Sequence, residues 1–174
     1  MTDITAIATR YADAVWNARD LDAADEIFAA DHVYHDALLP NLPTGPEGVR
    51  QRRGIYLAAM PDAKVTLHRI LADGQHVAVD WTYTGTNSGE IMGMPATGRT
   101  GSIGGAHFFR FEGERIAETW TYPDNLGLLQ QLGLVTIGAR RLGGGGLGPD
   151  RRTARQVFAH FQRQTHLPSS PLAR

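Results

Sequence analysis

The sequence predicts an α+β fold in which helices come first and a twisted antiparallel sheet follows, with the helices covering one sheet face. Two observations carry this. Apolar residues recur at helical spacing through roughly the first 60 positions, and the period changes to two from Lys64 onward. The period-two stretches are separated by turn-rich pieces, DGQ, NSGEIMGMPATGRT and EGE, as between hairpin-connected strands.

Each element follows from its residues. Ile4, Ile7, Ala8, Tyr11, Ala14 and Val15 share one helical stripe, so residues 3–18 read as an amphipathic helix. Asp20 or Asp22 can cap a second helix over 23–30, and a short strand is expected at 32–36. The prolines and glycines of LLPNLPTGPEG make a loop. That loop closes on Thr44-x-x-Glu47, a capping box with Pro46 in the first turn, which opens a third helix ending near Ala59. VTLHRILA, HVAVDWTYTG, GSIGGAHFFRF and RIAETWTY are the four following strands. In the second of them Val77, Val79, Trp81 and Tyr83 share an apolar face, opposite Ala78, Asp80, Thr82 and Thr84. Asp124 is placed to N-cap a short helix that ends at Gly133.

At 174 residues, with 42% apolar and 20% charged side chains, the chain is sized for one domain burying roughly 70% of its unfolded surface. It contains no cysteine, which excludes disulfides, thiolate nucleophiles and cysteine-bound zinc. The start, MTDITAIATRYADAVW, is too polar for a secretory signal, and no apolar run is long enough to span a bilayer, so a cytoplasmic protein is expected. The net charge of -1 hides an asymmetry: residues 138–174 hold seven arginines and one acid, which leaves residues 1–137 at -7. The expected division is therefore a domain over 1–137, then a Gly-rich linker and basic extension with a short helix over 138–174. That extension lacks the aromatic interleaving of a nucleic-acid surface, and neither nucleic acid nor membrane is an expected partner.

Several motifs fail on context. Gly143 to Gly148 matches GxGxxG, but no strong strand precedes it and no acid follows at the distance a ribose requires. His32-x-x-His35 resembles a metal pair, yet residues three apart on a strand face opposite ways, so no metal is expected. There is no GxSxG, P-loop or HExxH.

Three stretches taken in order, YADAVWNARDLDAADEIFAADHVYHD, EIMGMPATGR and HFFRFEGERIAETWTYPDNLGLLQQLG, resemble the SnoaL-like polyketide cyclases of the NTF2-like superfamily, over residues 3–134. The resemblance implies a cone: a curved antiparallel sheet and N-terminal helices enclosing an apolar pocket, commonly as a homodimer. It also implies ring closure or isomerisation of a small hydrophobic polyketide-like substrate without metal or organic cofactor. Related members hydroxylate similar substrates, which calls for a partner reductase, and a non-catalytic binding or dimerisation module on the same cone is a reading of another class. By position, His107 matches the family's histidine and Asp124 the aspartate of its YPDNLG segment. Thr121 stands where the family carries its catalytic aspartate, and a threonine hydroxyl is no base near neutral pH.

The candidate residues each carry a second reading. His107 alternates with Phe109 and Phe111, so it is a desolvated base or a core histidine. Asp124 is an acid or base at the pocket rim, or simply the N-cap. His35, beside Asp36 at a strand end, is a candidate proton shuttle. Trp16, Tyr56, Met60, Trp81, Tyr83, Met94 and Phe109, with Thr121, would wall a pocket for a flat conjugated substrate or else form core.

Overall fold

The computed structural model describes residues 3–136; the expected linker, basic extension and 137/138 boundary lie outside the described residues. Helix α1 (Ile4–Arg10) is capped by Asp3 and runs on as a π-helical segment, Tyr11–Ala18. Then come α2 (Ala23–Ile27), β1 (Phe28–His35), α3 (Pro46–Ala59), β2 (Lys64–Asp73), β3 (His76–Thr86), β4 (Thr100–Glu112), β5 (Arg115–Pro123) and α4 (Asn125–Gln131). None of the described helices is long and apolar enough to cross a membrane.

The five strands form one sheet in the order β1-β5-β4-β3-β2. Pairing is antiparallel from β2 through β5, but β1 lies parallel to β5, with Tyr34 opposite Thr119 and His35 opposite Trp120. The curved antiparallel sheet expected from the sequence is β2 to β5, and β1 is added to it in parallel. The partner of β1 is more than 80 residues away in sequence, and alternation within a strand carries no information about its neighbour's direction. Register shifts leave one extra residue in β2, between Leu67 and Arg69, and one in β5, opposite Arg110/Phe111, and such bulges bend the strand that carries them, so the sheet curves around its apolar face.

Two local expectations also change. The second helix stops at Ile27, and the chain turns extended from Phe28, where the fully buried Phe28 ring enters the core. Gly45, not Thr44, precedes α3, and no side-chain cap forms there. Gly45 has φ 77°, and a Cβ on it would lie 2.5 Å from the Ala30 carbonyl oxygen, so the loop needs glycine at this point. Asp124 does cap α4, accepting from Gly127 N–H at 2.9 Å, and Gly133 is left-handed after its end.

The core lies between the inner sheet face and the N-terminal helices. Val77, Val79, Trp81 and Tyr83 of β3, Ile103, Phe109 and Phe111 of β4, and Ile116 of β5 are all buried. Gly105 faces Trp81 across the β3–β4 pair, and a Cβ there would meet the indole at 2.6 Å. The missing side chain is what lets Trp81 lie over the sheet.

Candidate functional site

A cavity opens between this inner face and the helices. Its sheet wall is Val79, Trp81, Tyr83, Ile103, His107 and Phe109, its helical wall Tyr11, Ala12, Trp16, Arg52 and Tyr56, and its rim includes Val65 and Leu67 of the edge strand β2. The walls bound about 430 Å³ of non-atom space, open mouth included, yet only about 20 Å³ of it can hold the centre of a water. That is room for roughly one water molecule, so a polycyclic ligand enters only if the walls part.

Strand alternation delivers His107 to the inner face, where it is 6% exposed. Its imidazole packs on Trp81 and Phe109, with centroids at 5.0 and 5.4 Å. Nε2 lies 3.3 Å from the Tyr34 hydroxyl. Burial, with the nearby Arg52 charge added to it, pushes the His107 pKa well below its ordinary value. The ring is therefore neutral at physiological pH. In the tautomer whose Nε2–H donates to Tyr34, Nδ1 keeps a lone pair free for an incoming proton.

Arg52 is the residue that sequence reasoning missed. It is 2% exposed, and its Nε donates to Asp36 Oδ2 at 2.8 Å. Its guanidinium carbon stands 5.5, 5.0 and 4.8 Å from the ring centroids of Trp16, Tyr34 and Tyr56. Burial opposes its charge, but Tyr34, Tyr56, Tyr11 and Asp36 outweigh that and raise its pKa overall. A signal was present: Val49, Arg52, Arg53 and Tyr56 fall on one α3 stripe at i, i+3, i+4 and i+7, and all four are buried. Arginine in half of a core stripe marks buried charge. Arg53 ties α3 to the π-helical segment through the Val15 and Trp16 carbonyls, at 3.3 and 2.9 Å.

Tyr34 was likewise unforeseen. It is buried behind the cavity wall, its hydroxyl at His107 and its ring against the Arg52 guanidinium, and desolvation raises its pKa well above the usual phenol value. Tyr11 Oη lies near enough to influence it, but closes no well-formed hydrogen bond.

Of the residues expected at the site, the structure brings together His107, Trp16, Tyr56, Trp81, Tyr83 and Phe109. Thr121 pairs with His107 across β4–β5 and faces inward, 4% exposed, with an Oγ1 that has no partner, though it does not line the cavity. Other expected residues stand elsewhere. Asp124 is exposed and occupied as the α4 cap. His35 is on the outer sheet face, stacked on Trp120 and 3.1 Å from Glu118, because it is one residue out of phase with the inward Tyr34. Met60 is buried away from the cavity, its carbonyl accepting from Tyr83 Oη at 3.3 Å. Met94 is half-exposed in the β3–β4 loop, where its backbone bridges Ile91.

Comparison with known proteins agrees with this geometry. The family model for the SnoaL-like polyketide cyclases matches residues 6–132. Nogalonic acid methyl ester cyclase of Streptomyces nogalater is 29% identical over 121 residues, covering 69% of this chain and 90% of that protein. The structure of IdmH from Streptomyces antibioticus, a proposed polyketide cyclase, superposes with a TM-score of 0.68 at 30% identity, over 76% of this chain and 99% of that one. AclR from Streptomyces galilaeus, a proposed hydroxylase, gives 0.66 at 28% identity, over 76% and 97%. A family match spanning most of the chain, on a sheet curved around an enclosed pocket, establishes that the protein belongs to the SnoaL-like polyketide cyclases.

Proposed function

We propose that the protein closes or isomerises a ring in a hydrophobic polyketide-type intermediate, using His107 as base and needing no cofactor. The observation that carries this reading is a neutral, desolvated imidazole, held to Tyr34 through Nε2, inside an aromatic-walled cavity. In such a step Nδ1 removes a proton from carbon beside a carbonyl, and the resulting enolate carbon bonds to a second carbonyl carbon. The alkoxide then takes the proton back from the imidazolium, so the product is an isomer of the substrate. Holding both carbonyls in reactive contact contributes several kcal/mol of barrier lowering on its own.

The substitution of threonine for the family's aspartate bears on mechanism. Among the described residues no Asp or Glu lines the cavity, so proton transfer falls to His107 or the cavity works by shape. A second reading, a binding module without chemistry, rests on that same lack. Turnover of the host's polyketide intermediate by wild type and His107→Ala separates them. Loss of about 10²- to 10⁴-fold in kcat supports the base, unchanged turnover removes His107 from the mechanism, and return of the intermediate unaltered by wild type favours the binder. Oxygen-dependent turnover would instead favour a hydroxylase with a partner reductase. The intermediate itself is identified as the metabolite that accumulates when the gene is deleted.

A further inference from the structure

The unpartnered polar groups of the cavity are mostly donors, the Tyr11 hydroxyl being the one that can also accept. Arg52 Nη1 and the indole N–H groups of Trp16 and Trp81 are buried and have no acceptor, and all three residues line the cavity. Each is a donor only. Asp36 as placed accepts from Arg52 only at Nε, through Oδ2, while its Oδ1 accepts from Leu38 N–H at 2.9 Å, and Nη1 is left without an acceptor. The faces of Trp16, Tyr34 and Tyr56 hold the guanidinium in place. A fixed, desolvated cation with a spare N–H costs stability unless something accepts from it, and what accepts must be an oxygen, best an anionic one.

We propose that Arg52 is the oxyanion-holding residue of this cavity and that the substrate is an enolisable β-dicarbonyl compound, whose enolate oxygen accepts from Nη1. This rests on the cyclase reading and names its substrate class. A base as weak as a desolvated imidazole removes a proton only from an acidified carbon, and two flanking carbonyls with a cation on one oxygen supply that acidity. The electron pair left by the C–H bond is delocalised onto the oxygen at Arg52, and it leaves that oxygen again when the new C–C bond forms. Asp36 acts as a positioning residue, setting the orientation of the guanidinium.

The probe is 2-naphthol, whose anion carries an oxyanion on a flat bicycle, compared with naphthalene, which must open the cavity in the same way but offers no acceptor. Titration of wild type across the naphthol ionisation range is expected to show naphtholate bound at least about tenfold more tightly than naphthalene. Bound naphthol should also ionise at lower pH than free naphthol. In the charge-neutral pair Arg52→Met/Asp36→Asn, which leaves no unpaired charge, that preference should vanish. Equal affinities in wild type, or no binding of naphtholate, overturn the assignment without any variant, as does a folded double variant that keeps the preference. The two readings fail separately: a naphtholate preference with unimpaired His107→Ala turnover leaves the anion site and removes the base, whereas the reverse result removes Arg52 alone.

Discussion

The two faces of one sheet carry the same residue types in opposite electrical conditions. On the inner side, Asp36 just past β1 and Arg52 of α3 form an ion pair only 1–2% exposed, and His32 and His107 of the inner face are buried. On the outer face, Arg110 pairs with Glu118 at 2.7 Å and His35 reaches Glu118 at 3.1 Å, all with substantial access to water. Adjacent residues of β1 divide between them, Tyr34 inward and His35 outward. Solvent screens the outer charges, whereas the inner ones act on each other and on whatever enters the cavity. The comparison teaches that environment, not residue identity, selects the groups able to do chemistry.

The largest effect that tests this contrast comes from breaking the inner pair. Asp36→Ala leaves a buried guanidinium uncompensated and should cost about 3–5 kcal/mol in denaturant unfolding, whereas Glu118→Ala should cost about 1 kcal/mol or less. Equal costs would erase the distinction.

Acidification comes next. His32, 2.8 Å from Thr119 Oγ1, has its pKa lowered to about 4, first by burial and then by the nearby His35, and burial also holds His107 well below its ordinary value. Both bind a proton in the unfolded chain near pH 6.5 but not in the folded one, so stability is full above that pH and falls as pH drops toward 4. Each contributes a slope of about 1.4 kcal/mol per pH unit. Stability measured from pH 7 to 4.5 should show both contributions, and His107→Leu should remove one.

Smaller is the loss of the α4 cap: Asp124→Ala should cost about 1 kcal/mol and leave turnover unchanged, since Asp124 is outside the cavity. Smallest is Thr121→Val, which keeps shape while removing an unpaired buried hydroxyl. It should be neutral or stabilising by up to about 1 kcal/mol in thermal unfolding. A clear destabilisation would mean that Thr121 Oγ1 has a partner, such as a bound water.

The sequence by itself determined what is local. Period-two alternation located β2 to β5 to within a residue or two and put His107 on the same face as Phe109 and Phe111. Pro46 and the Asp124 cap placed the starts of α3 and α4, and three spaced stretches carried the family resemblance. Tertiary structure decided what depends on distant neighbours. The parallel pairing of β1 with β5 joins segments more than 80 residues apart. Met60 and Met94 were kept out of the cavity by where their backbones run. Arg52 became a buried cation only because Asp36 and the rings of Trp16 and Tyr34 from other elements join Tyr56 of its own helix in surrounding it. A side chain's charge is written in the chain, but the dielectric around it is set by what folds against it, and that difference separates a solvated arginine from one able to hold an oxyanion.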